Sequence, residues 1–160
     1  MTAGRTRMAC RHIELLSIRS RRMARICADS VILLGALVLV GWSFDLATLK
    51  SVWPCLVAMK ANTAVGFVLA GLSIRLRIGD PARRWAATAS QVLASAIALL
   101  GVVTLAQDLT ELRFGIDELL FTDPAGWIGF SPPGRMAPTT AVAFGAVGLA
   151  LLLLQRSRTF

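Results

Sequence analysis

Four stretches of the chain are apolar and nearly free of charge, and short polar segments separate them. Val31 to Leu49 is interrupted by Asp45 alone, Ala58 to Ile74 by Lys60 and Asn62, and Trp85 to Leu105 and Pro138 to Leu154 by no charged residue. A helix of about 20 residues crosses a hydrocarbon core of about 30 Å. The first three stretches reach that length once their ends are included, and the fourth is short for it. The pattern predicts helices over residues 28–49, 58–76, 85–109 and 138–154, a basic tail over 1–27, an outer loop over 110–137 and a short tail over 155–160. The expected fold class is all-α, an integral membrane domain of four transmembrane helices.

One phrase recurs inside this pattern. Met59-Lys60-Ala61-Asn62-Thr63-Ala64-Val65-Gly66-Phe67 leads to Gly71-Leu72, and Met136-Ala137-Pro138-Thr139-Thr140-Ala141-Val142-Ala143-Phe144 leads to Gly148-Leu149. Seven of fourteen positions are identical at an offset of 77, and the Met, Thr and Phe matches carry most of the weight because Ala, Val, Gly and Leu are common in any apolar helix. The outgoing helices match more weakly: Asp45-Leu46 with Leu49 aligns on Asp108-Leu109 with Leu112. Both copies of the phrase start on the same side, so the expected arrangement is two tandem hairpins in parallel repeat, related by an axis near the membrane normal.

Charge changes the picture by giving it a direction. Arg5, Arg7, Arg11, Arg19, Arg21, Arg22 and Arg25 precede the first span, Arg75, Arg77, Arg83 and Arg84 lie between the second and third, and Arg156 and Arg158 follow the fourth. Thirteen of the seventeen basic residues therefore share one side, which the positive-inside bias makes cytoplasmic. Both termini are expected there. The net charge of +8 is thereby accounted for by topology, and no nucleic-acid partner is expected. The basic tail reads equally as a short surface helix over anionic headgroups or as a disordered arm. Trp42-Ser43-Phe44-Asp45-Leu46 has no small-x-small cleavage pattern, so the first span reads as an uncleaved anchor. Asp108 to Arg135 is the largest stretch between spans, and Leu112 to Phe121 within it mixes acids and apolar residues like an interfacial helix.

The chemistry on offer is sparse. His12 is the one histidine, and Cys10, Cys27 and Cys55 have no metal or disulfide spacing, so neither metal nor cofactor is expected. Asn62, Thr63, Thr139 and Thr140 fall where the second and fourth helices enter the membrane, and capping of unpaired N–H groups is the expected role. Asp45 and Asp108 stand at matching places near the outer ends of the first and third helices, as interfacial residues or as an ion or proton site. Gly66 with Ala70, Ala141 with Gly145, and Ala94 with Ala98 are small-x-x-x-small pairs that let helices approach closely.

The run of Gly41-Trp42 with Asp45, Leu49-Lys50-Ser51-Val52-Trp53-Pro54, the two repeated phrases, Gly115-Ile116-Asp117-Glu118-Leu119-Leu120-Phe121 and Gly134-Arg135 resembles a known family. It looks like the N-terminal four-helix membrane input region of bacterial sensor histidine kinases and PAS-containing diguanylate cyclases. The resemblance covers about residues 31–154; Thr139 stands where that pattern has Asn, which Asn62 keeps. It implies a multi-pass protein of the bacterial inner membrane. The family's PAS, kinase and cyclase motifs are not among the 160 residues, so no catalytic site is carried over. The expected function is a membrane-embedded sensory or signal-transfer module, truncated or stand-alone. Its expected partners are the lipid bilayer, a second copy in a homodimer formed by helix packing, and a cytoplasmic output domain. A small transporter or channel-like protein is the alternative.

Overall fold

A computed structural model describes residues 2–50, 58–79, 84–110, 115, 121 and 134–156, with side chains from residue 18 to residue 154 of that set. Every regular element among the described residues is helical: α1 Thr2–Ser43, α2 Ala47–Lys50, α3 Ala61–Ile78, α4 Arg84–Thr110 and α5 Pro138–Arg156. The expected interfacial helix of residues 112–121 and the turns at Trp53-Pro54, Asp80-Pro81 and Asp123 to Pro133 lie outside the described residues.

The largest departure from expectation is at the N-terminus. The basic stretch is neither a separate surface helix nor an irregular arm, because α1 runs unbroken for 42 residues, about 63 Å of helix. The reason is local: between Gly4 and Gly35 there is neither glycine nor proline, so nothing forces the helix to bend where the apolar part begins. The first helix also stops earlier than residue 49. Asp45 takes a left-handed φ of 54° and the amide of Leu46 reaches back to the carbonyl of Gly41 at 2.8 Å, which closes α1 in the manner of a Schellman ending. At the start of α5, Pro138 occupies the first helical position, where its fixed φ suits the helix and its missing N–H costs nothing.

Ile18–Ser43, Ala61–Ile78 and Arg84–Thr110 are long and apolar enough to cross a membrane, and Pro138–Leu154 is apolar but shorter. The chain is a helical membrane protein. In it α1 packs on α3 and α4 on α5, while α3 also touches α4 and α5 and so stands in the middle. Ala70, Ala94, Ile97, Met136, Ala141, Phe144 and Leu151 form one buried cluster; Val38, Trp42, Ala61 and Ala64 form the other. Phe67 and Phe144, matched positions of the repeated phrase, meet edge to face at 5.6 Å.

Backbones come close where side chains are missing. A Cβ on Gly35 would lie 2.6 Å from the carbonyl oxygen of Ala64, and one on Gly101 would lie 2.5 Å from that of Ala141 and from the amide of Gly145. Ala64 and Ala141 are matched in the repeated phrase, so both helix pairs close on the same point of it. Gly71 is filled against Ile32 and Ala28 of α1, Gly148 against Ala98 of α4. The expected pairs Ala141 with Gly145 and Ala94 with Ala98 are thus at the α4–α5 contact. The contact register of the outgoing helices, Gly35 with Gly101, is 66 residues, one turn away from the 63 of the Asp45 and Asp108 alignment.

Two sets of polar contacts hold the far end of the bundle, called here the Arg75 end. Ser73 of α3 and Ser90 of α4 are fully buried and each hydroxyl donates to the other residue's carbonyl at 3.0 Å. Arg75 pairs with Asp29 of α1 at 2.8 Å, and Arg77 donates to the carbonyl of Leu154 in the last turn of α5, where a cation also faces the negative end of the helix dipole.

Candidate functional site

The opposite end, where α1 finishes and α3 begins, carries two acid–base pairs in contrasting surroundings. The Ser73–Ser90 contact lies close to the short α3–α4 connection and makes those helices antiparallel, so the C-terminus of α4 and the start of α5 share this end with Trp42 and Asn62.

The first pair belongs to the α1–α2 corner. The α2 turn folds back so tightly on α1 that a Cβ on Gly41 would lie 2.9 Å from the amide of Lys50. This puts the Lys50 ammonium 4.5 Å from the centre of the Trp42 ring, within cation–π range. The ammonium also donates to the Asp45 carboxylate. The Trp42 indole N–H donates to the Met59 carbonyl at 2.9 Å, and the amide of Met59 donates to the carbonyl of Lys50 at 2.7 Å, which ties the corner to the start of α3. Phe121 lies against Trp42 with ring centres 5.9 Å apart. Asp45 itself is 88% exposed, and the hydrogen bond from Lys50, followed by the lysine's charge, holds its carboxyl below the ordinary value of 3.8.

The second pair is inside. The buried face of α4 ends in Thr104 and Gln107, and the next residue, Asp108, has a side chain only 18% exposed. Its Oδ1 accepts from Nη1 of Arg135 at 3.1 Å, and the Arg135 side chain is 5% exposed. The other oxygen, Oδ2, is buried and has no hydrogen-bond partner. Gly134 precedes the arginine with φ 73°, a conformation an L side chain rarely adopts, and this turn aims Arg135 at α4. Met136 follows directly and is buried in the same cluster as Phe144.

Asp45 and Asp108 are therefore not equivalent: one lies in a turn beyond its helix and one within the last turn of its helix. Asn62 and Thr139 diverge as well. Each is the second residue of its helix rather than the one before it. The residue before α3 is Lys60, which makes no side-chain capping bond, and Asn62 is buried while Thr139 is exposed. Thr63 and Thr140 are half-buried. The difference follows from position: α3 is surrounded by α1, α4 and α5, whereas α5 lies at the edge.

Lys50, Trp42, Gln107, Thr104 and Arg135 were not singled out as site residues from the sequence. Arg135 had one available signal, since Gly134-Arg135 immediately precedes the repeated Met. Among the described residues no three His, Cys, Asp or Glu side chains converge as a metal set. What the buried pair can do is physical. An arginine stays charged, so burial makes its carboxylate partner matter, and removing either member of the pair takes a counter-charge from a group that water does not reach.

No family model, curated protein or solved structure matches this chain.

Proposed function

We propose that the chain is a membrane-embedded input module: four spans arranged as two tandem hairpins, which take up a stimulus at the Trp42 end and pass a shift of α5 to a cytoplasmic output domain or partner. The observation that carries this reading is the buried Asp108–Arg135 pair. It joins the end of α4 to the start of α5 across a segment of more than twenty residues, and Arg135 is followed by Met136 in the packed core. Breaking the pair displaces the residues that seat Phe144 against Phe67, and α5 is the helix whose far end is held by Arg77. A stimulus acts by favouring the made or the broken state. The arginine-rich flanks set both termini in the cytoplasm of a bacterial cell, and α5 crosses by drawing on its terminal turns or on local thinning of the bilayer. The resemblance to sensor kinase input regions supports the same assignment.

The test is a fusion of residues 1–160 to a diguanylate cyclase output. Asp108→Asn is expected to change basal cyclic dinucleotide production several-fold, and the exchange Asp108→Arg with Arg135→Asp to restore part of it. Output unchanged both by Asp108→Asn and by deletion of residues 112–134 overturns the proposal.

A transport reading has one observation in its favour, the buried polar positions Ser90, Thr104 and Gln107 on α4. Between them Ala94, Ile97 and Gly101 are packed shut against α3 and α5, so a path would require the core to open. Ion flux in proteoliposomes that is lost with Asp108→Ala would decide for it.

A further inference from the structure

At the Arg75 end the arginines are unevenly engaged. Arg75 uses its Nε on Asp29, and Arg25 of α1 extends one Nη group toward the carbonyl of Ile78 at 3.4 Å. Both are exposed, which leaves guanidinium N–H groups of each facing outward. Arg22, three residues before Arg25 and on the same side of α1, is exposed and makes no ion pair or hydrogen bond with any described residue. The carboxylate of Asp29 is the one acid in this group, so Arg22, Arg25, Arg75 and Asp29 together carry two net positive charges. On the neighbouring strip of α1, Ile26, Leu33 and Leu37 stand exposed at helical spacing from Arg22, leading away from the charges along the membrane.

We propose that this corner between α1 and α3 is a binding site for one anionic phospholipid. Its phosphodiester lies among Arg22, Arg25 and Arg75, and an acyl chain runs along Ile26, Leu33 and Leu37. The chemistry fits because guanidinium groups present paired donors to phosphate oxygens, and charge-assisted bonds of this kind are strong next to hydrocarbon. An apolar strip continuous with the cations favours a lipid over a free anion. The bound headgroup braces α1 against the C-terminal turn of α3, the turn that also carries Arg77, which holds α5. The inference rests on the membrane reading above, but not on which way the bundle faces.

The experiment uses the full chain in phosphatidylcholine nanodiscs with and without phosphatidylglycerol, read by native mass spectrometry and by thermal unfolding. One phosphatidylglycerol is expected to stay bound per chain and to raise the unfolding midpoint. Arg22→Gln breaks no ion pair or hydrogen bond with a described residue and is expected to weaken retention roughly fivefold, the scale of one arginine near an anionic surface. Arg75→Gln weakens it further, and Arg84→Gln, an exposed arginine on α4, a helix that does not touch α1, leaves it unchanged. Equal loss with Arg84→Gln and Arg22→Gln overturns the site in favour of diffuse surface charge. The same stabilisation by inorganic phosphate in neutral nanodiscs overturns the lipid as occupant. Neither result bears on the signalling proposal, which the cyclase fusion tests separately.

Discussion

The two acid–base pairs at the Trp42 end use the same chemistry and have opposite standing. Asp45 and Lys50 are five residues apart in one turn, with the carboxylate in water. Asp108 and Arg135 are 27 residues apart and both withdrawn from it. The Asp45 carboxylate is screened by water, and the buried Lys50 keeps the Trp42 ring when it is removed, whereas in the second pair both charges are withdrawn and water does not replace the lost partner. The comparison teaches that the α4–α5 half, with both charges withdrawn, carries the larger energetic risk of this end, and the α1–α2 corner, with one, the smaller. That contrast is why the α4–α5 half is the one we propose as the switching element.

The sharpest way to break the comparison is to truncate both acids. Asp108→Ala takes a buried carboxylate from the buried Arg135 and is expected to cost up to about 3 to 5 kcal/mol of stability in detergent unfolding, while Asp45→Ala removes a carboxylate already in water, leaves Lys50 its Trp42 ring and is expected to cost clearly less. Equal effects would remove the distinction. Next in size is the glycine contact. Gly101→Val pushes against backbone atoms of α5 and is expected to cost about 1 to 3 kcal/mol or more, whereas Gly145→Ala has open space and is expected to be neutral or slightly stabilising. A Gly145→Ala protein that unfolds as readily as Gly101→Val would sink the close-approach account.

Between the halves, Ser73→Ala or Ser90→Ala each removes part of a reciprocal bond and is expected to cost about 0.6 to 1.7 kcal/mol. The double substitution should cost less than the sum, because no orphaned hydroxyl is left; additive losses would mean that the two serines act independently. The smallest effect concerns pH. The folded-state carboxyl of Asp45 titrates below 3.8, so its contribution is complete above that value and is lost as pH falls through the lower one. Carboxyl NMR should show this, and Lys50→Met should return the titration to the ordinary value.

Much of the helical layout was legible in the sequence. The later three helices begin and end within three residues of expectation, since apolar runs bounded by Arg, Pro and Gly leave little choice. The end of α1 was not legible, because apolar residues continue past Asp45 at Leu46, Ala47 and Leu49 and only the left-handed turn at Asp45 divides them from the helix. The site was half legible. Asp45 and Asp108 stood out as carboxylates in apolar runs, but their environments differ for reasons that no local spacing contains. Arg135 reads as one more loop cation until the Gly134 turn brings it to α4.

The sequence by itself determined that this chain is helical, that its helices are apolar enough for a membrane, and that one phrase is used twice, because periodicity and composition are local properties. Only the tertiary structure decided that α3 stands in the middle, that the two Phe residues of the phrase meet, and that Asn62 is enclosed while Thr139 is not. It also decided which of two similar carboxylates is enclosed with an arginine. Those outcomes depend on where glycines let backbones approach and on which helix has neighbours on every side, and contacts between residues far apart in the chain are what set both.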